Sequence, residues 1–174
     1  MGLRGCGKTT LSGPLAARRG MTSIDLDHET LVELRAEGKA APNIAAVWRE
    51  HGEAAFRAAE ARALRRALGA RNAVIALGGG TPTAPGAPDL ISQARGTRSA
   101  RFIYLRATAP TLRARMESKD DASRPSLTGA GTLDEIDRVL ATRDPLYRSL
   151  ADVVIEIDGR TKTDVLDECD RSCP

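Results

Sequence analysis

"MGLRGCGKTT", residues Met1 to Thr10, decides the fold. Gly2 to Thr9 read G-x-x-x-x-G-K-T, the spacing of a loop that wraps a phosphate with backbone N–H groups. Gly2 and Gly7 free the chain to turn those groups inward, and Gly5 adds a third such position. Cys6 and Thr10 lie within the wrap, Lys8 reaches the phosphoryl group to be transferred, and the Thr9 hydroxyl faces a magnesium ion. The loop opens an amphipathic helix, Lys8 to Gly20, whose N-terminus favours an anion. Such loops hang from the end of a buried strand, yet only Met1 precedes this one. Two expectations follow: Met1 is an internal methionine taken for a start, or it begins a chain whose phosphate loop is weakly anchored.

Outward from this loop, strands and helices alternate. Thr22–Asp27 reads as a strand ending in carboxylates, followed by a helix from near Glu29. Asn43–Leu68 reads as one or two helices broken around Gly52, and Asn72–Gly80 as a buried strand running into three glycines. Ala100–Ala107 is a strand, and Thr108 caps a helix over Pro110–Met116. Glu117–Gly129 is a polar loop, Thr132–Tyr147 a helix, Ala151–Asp158 a strand and Thr161–Cys169 a closing helix. Strands separated by helices predict an α/β fold: three layers, α-β-α, around a parallel sheet, with ligands at the C-terminal ends of the strands. With no internal repeat or linker, residues 1–174 read as a single domain.

Composition narrows the function classes. The apolar fraction is 41% and the aromatic fraction 3%, which predicts an aliphatic core. Net charge is +3, and of the 26 basic residues only Lys8, Lys39, Lys119 and Lys162 are lysines. Arginine suits bidentate capture of carboxylate and phosphate. No basic arm and no nucleic-acid module motif occurs, so anionic small molecules are the expected partners and nucleic acid is not. Cys6, Cys169 and Cys173 have no zinc-like spacing. Without a signal peptide or an apolar run of about 18 residues, the expectation is a cytoplasmic protein with no membrane contact.

Asp25 and Asp27, read as i and i+2 of one strand, fall on the same side beside the loop. One carboxylate can hold water on magnesium while the other accepts a hydrogen bond from a substrate hydroxyl; as an alternative, Asp27 can cap the Glu29 helix. Arg57, Arg124 and Arg143 are candidates for anion binding, although arginines on helices are commonly solvated. His28 and His51 lack metal-like spacing, and Trp48 reads as core or pocket wall.

Taken together the chain resembles the shikimate kinases, small P-loop kinases of the nucleoside monophosphate kinase type. The resemblance runs from Gly2 to about Asp158. It rests most specifically on Arg57, Glu60, Leu64, the strand Val74-Ile75-Ala76 and Gly78-Gly79-Gly80 in that order and spacing. "GE" at Gly52–Glu53, "RP" at Arg124–Pro125 and "RDPLYRSLAD" at Arg143–Asp152 agree with it. The resemblance implies ATP-dependent phosphorylation of the shikimate 3-hydroxyl by a monomer with a mobile lid over about 112–128. It implies that Gly2, Gly5, Cys6, Gly7, Lys8, Thr9, Thr10, Arg115 and Arg124 serve ATP, and that Thr9 and Asp25 hold Mg2+. Lys8, Asp27 and Arg124 would be catalytic, while Asp27, Arg57, Gly79, Gly80 and Arg143 would bind shikimate. Three departures stand beside it: a long acidic lid with Asp120 and Asp121, "TPT" after the glycines, and no counterpart to the family's first, central strand. A truncated or non-catalytic relative, or a gluconate-type or nucleotide kinase, are the alternative readings.

Overall fold

A computed structural model describes residues 1–117 and 135–173. Its four strands are β1 (Thr22–Asp25), β2 (Ala73–Ala76), β3 (Ile103–Arg106) and β4 (Val153–Glu156), and its helices are α1 (Lys8–Arg19), α2 (Leu26–Ala36), α3 (Ile44–Leu68), α4 (Ala87–Gly96), α5 (Ala109–Glu117), α6 (Ile136–Leu150) and α7 (Lys162–Ser172). All strand pairing is parallel, as the alternation of elements requires. It forms two ladders rather than one sheet. β1 lies on β2 with Thr22 opposite Ala73 and Asp25 opposite Ala76; β3 lies on β4 with Ile103 opposite Val153 and Arg106 opposite Glu156.

Between the ladders, among the described residues, it is Met1 that makes a strand-like contact. Its amine donates to the Ile103 carbonyl at 2.6 Å, and its carbonyl accepts from the Leu105 N–H at 2.9 Å. That pair of bonds is the parallel bridge pattern, with Met1 opposite Tyr104. Leu3, Leu11, Leu15, Leu64, Ile91, Phe102, Leu105, Leu112, Ile155 and Ile157 join one core around this point, mostly aliphatic but holding Phe102, Tyr104 and Tyr147 as well. At about 1.5 to 3 kcal/mol per buried large apolar side chain, this cluster carries the stability. A smaller one, built on Leu34, Val47, Phe56 and Ala59, fixes α2 against α3.

Several sequence expectations need correction. β1 ends at Asp25, and α2 starts at Leu26 rather than near Glu29; Asp25, not Asp27, is its N-cap, accepting from the Asp27 N–H at 3.0 Å. The two carboxylates therefore sit on a cap and a first helical turn, not on one side of a strand. The Asn72–Gly80 strand is confined to β2, since the glycines leave the ladder for a turn and a 3-10 helix at Thr81–Thr83. α4 was not anticipated; Pro88 stands in its first turn, where proline forfeits no helical hydrogen bond. Gly52, with φ 79 and ψ 165, breaks α3 where expected. The Thr108 hydroxyl is directed at the Asp158 carboxylate, at 2.9 Å. Of the expected lid, residues 112–117 are part of α5; Arg124, Pro125, Asp120 and Asp121 lie outside the described residues.

Candidate active site

The phosphate loop has its expected form. Gly7 is the N-cap of α1 at φ 93, a left-handed conformation that only glycine adopts cheaply, and α1 has neither a side-chain cap nor an acidic residue in its first turn. Its leading N–H groups are thus left for an external anion. Lys8 Nζ folds back over the loop, donating to the carbonyls of Gly2 at 2.7 Å and Leu3 at 2.8 Å. The loop is held close to β3: a Cβ on Gly2 would stand 2.5 Å from the Leu105 carbonyl oxygen. On its other side α5, which carries Arg115, packs Leu112 and Met116 against Gly5. Thr9 and Thr10 are exposed at the start of α1.

Thr9 Oγ1 donates to Asp25 Oδ2 at 2.9 Å, which joins the helix start to the end of β1. A hydroxyl and a carboxylate are hard oxygen ligands of the kind magnesium takes, and magnesium needs only one or two protein carboxylates. Among the described residues, no cluster of three or more His, Cys, Asp or Glu side chains offers a competing metal site.

One cleft beside the loop is lined by Asp27, Arg57, Gly79, Gly80 and Arg143, the five residues expected to bind the acceptor. They come from four separate segments, so only the fold unites them. Arg57 Nη1 donates to Glu60 Oε2 at 2.8 Å, and its guanidinium lies 5.6 Å from the Trp48 ring centroid and 5.5 Å from that of Phe56. Glu60 is 2% exposed and its other oxygen accepts from Thr81 Oγ1 at 2.6 Å. A buried carboxylate thus fixes both the arginine fork and the turn after the glycines. From α6, Arg143 Nη1 and the Tyr147 hydroxyl both donate to the Gly79 carbonyl, at 3.0 and 2.6 Å. Burial pushes the Tyr147 phenol up to about 12, so it remains a donor. Asp144 anchors α6 to β3 by accepting from Tyr104 Oη and Arg106 Nε, each at 2.8 Å.

The glycine turn connects the two halves. A Cβ on Gly79 would stand 3.2 Å from the Arg4 nitrogen of the phosphate loop, and one on Gly80 would stand 3.1 Å from Arg57 Nη1. Gly78 is tighter still: its Cβ would stand 2.5 Å from Asp27 Oδ1 and 2.8 Å from Thr81 Oγ1. Gly78→Ala is therefore expected to displace Asp27 and to cost about 1–3 kcal/mol of stability through overpacking. Denaturant unfolding and steady-state kinetics, read on the same preparation, check this; unchanged values in both would show that the turn yields freely.

Sequence reasoning missed Tyr147, Thr81 and the buried Glu135 that also lines the cleft. Tyr147 had a signal, since it follows Arg143 by four residues and so shares its helix face. Trp48, read as core or pocket wall, lines the cleft, and its indole Nε1 is buried without a protein acceptor. His28 is exposed and joins no cluster.

A phosphate loop at a helix start, a hydroxyl–carboxylate pair beside it and an arginine-walled cleft across a glycine turn define a P-loop phosphotransferase. The sequence profile described as Shikimate kinase matches residues 4–173. The shikimate kinase of Rhodopirellula baltica is 34% identical over 175 positions, covering 99% of this chain and 88% of its own, and shikimate kinase 2 of Erwinia tasmaniensis is 40% identical over 157, covering 90% and 83%. Among solved structures, shikimate kinase from Acinetobacter baumannii in complex with shikimate superposes with a TM-score of 0.81 at 28% identity, over 97% of this chain and 87% of that one. The chain belongs to the shikimate kinase family. It is a kinase, and ATP is its phosphoryl donor.

Proposed function

We propose that the chain transfers the γ-phosphoryl group of ATP to the 3-hydroxyl of shikimate. The observation that carries this is the convergence of Asp27, Arg57, Gly79, Gly80 and Arg143 on one cleft beside the Lys8 loop. The backbone amides of Gly2, Gly5, Cys6, Gly7, Lys8, Thr9 and Thr10 cradle the ATP phosphates, and Lys8 leaves its loop carbonyls for the phosphoryl oxygens. Thr9, with Asp25 behind it, holds Mg2+, which when bound neutralises phosphate charge. Arg57 and Arg143 take the shikimate carboxylate, since a planar fork matches it bidentately. Asp27 accepts the hydroxyl proton, and the Gly79 and Gly80 amides steady the acceptor. Arg115 faces the nucleotide, and Arg124 neutralises charge on the transferring group. Here the whole chain acts as one domain, a monomer in the cytoplasm with no nucleic-acid partner. Among the described residues no helix is long and apolar enough to cross a membrane.

Incubating the purified chain with ATP, Mg2+ and shikimate is expected to release ADP only when shikimate is present. With gluconate or a nucleoside monophosphate as acceptor, kcat/KM should fall by at least about 100-fold, because the open chain of gluconate does not hold its carboxylate and hydroxyls in the fixed spacing of a ring, and a nucleoside monophosphate offers the arginine forks no carboxylate. Equal or better turnover of either alternative would overturn the assignment.

A further inference from the structure

The proposed transfer gives Arg143 a task and gives none to Tyr147, one turn further along α6. Tyr147 is fully buried, and its ring meets that of Tyr104 edge-on, with centroids 5.4 Å apart and an interplanar angle of 87°. Tyr104 is itself tied down, because its hydroxyl donates to Asp144, whose two oxygens also accept from Arg106 and Arg148. Packing therefore sets where the Tyr147 hydroxyl points. It donates to the Gly79 carbonyl at 2.6 Å, and the same oxygen accepts from Arg143 Nη1 at 3.0 Å. A carbonyl oxygen has two lone pairs and takes both donors; among the described residues, these two side chains supply them.

That oxygen controls the turn. In a trans peptide the C=O and N–H point in opposite directions, so whatever holds the Gly79 carbonyl also aims the Gly80 N–H. Glycine on both sides of this peptide leaves no Cβ to resist its rotation, and hydrogen bonds at the carbonyl are what fix it. Arg143 is a conditional donor there. A charge-assisted bond to a carboxylate is roughly twice as strong as one to a neutral carbonyl, so an acceptor carboxylate in the cleft draws the guanidinium off Gly79. Without a second donor, that move strands a half-buried carbonyl and lets the turn rotate.

We propose that Tyr147 is the positioning residue that releases Arg143 for the acceptor: it keeps the Gly79 oxygen bonded while the guanidinium turns to the carboxylate, and so holds the Gly79–Gly80 peptide through the transfer. The inference rests on shikimate as the acceptor and on Arg143 as one of the groups that take its carboxylate.

The test compares four full-length chains: the parent, Tyr147→Phe, Arg143→Met and the double variant. In Tyr147→Phe the shikimate KM is expected to rise about tenfold, because binding now strands the carbonyl, while kcat and the ATP KM move by less than about threefold. In the Arg143→Met background Gly79 has lost its arginine donor before and after shikimate binds. There, adding Tyr147→Phe should change the shikimate KM by less than about twofold. Calorimetric titration with shikimate gives the same comparison where turnover is too slow. An equal rise in both backgrounds would mean general damage to α6 and overturn the proposal, as would an unchanged KM in Tyr147→Phe. The 13C resonance of the Gly79 carbonyl gives a reading that needs no Tyr147 variant. Shikimate should move it upfield in the parent, as loss of one donor does, and leave it in place in Arg143→Met; an unmoved resonance in the parent would overturn the proposal. A parent chain that fails to phosphorylate shikimate would overturn the acceptor assignment and this inference with it, whereas an active parent with an unaffected Tyr147→Phe would overturn the inference alone.

Discussion

Asp27→Asn is expected to lower kcat for shikimate phosphorylation by roughly 10²- to 10⁴-fold, the range that a positioned general base contributes. The side chain sits in the first turn of α2, faces the cleft and closely adjoins Gly78. Asparagine keeps its shape and can still donate or accept a hydrogen bond, but it cannot take a proton. The cap of α2 is retained, because it uses the Asp27 backbone N–H and the Asp25 carboxylate. Shikimate KM should move far less than kcat, since the arginines that hold the carboxylate are untouched. A coupled ADP assay with circular dichroism on the same sample decides it. A kcat within tenfold of the parent would remove Asp27 from the proton-transfer role and leave it a substrate-orienting group.

What the sequence displayed, and what it hid, divides along physical lines. The phosphate loop was legible because its requirements are local: glycines where backbone must turn, a lysine and a hydroxyl at fixed offsets. Arg57 with Glu60 was legible as spacing, though not the reason for it, which is that Thr81 reaches the other Glu60 oxygen across 21 positions. Such long-range pairing leaves no periodic trace. The Asp25–Asp27 geometry was misread because strand and helix start meet within two residues, and a carboxylate in that place is as good a cap as a strand end. α4 stayed hidden behind Pro85 and Pro88, which mark a loop by composition and a helix start by position. The bridge from Met1 to β3 needed the folded arrangement.

Arg57→Ala is expected to have the second large effect, and on two quantities at once. The side chain is 16% exposed and its partner Glu60 3%. Removing the guanidinium leaves a buried carboxylate with one hydroxyl donor, a loss that typically costs about 3 to 5 kcal/mol of stability. It also removes one of the two forks that we propose take the acceptor carboxylate, so shikimate KM should rise by about 100-fold or more, the equivalent of losing one charge-assisted contact of roughly 3 kcal/mol. The two losses have different causes and can be separated. In the double variant Arg57→Ala, Glu60→Gln the stranded charge is gone, so the melting temperature should recover much of its fall while KM stays high. Arg57→Lys should sit between, because an ammonium keeps the charge but cannot bridge Glu60 and a substrate carboxylate in one plane. If the double variant regained shikimate affinity along with stability, Arg57 would be a strut for the glycine turn and the carboxylate would be held by Arg143 without it.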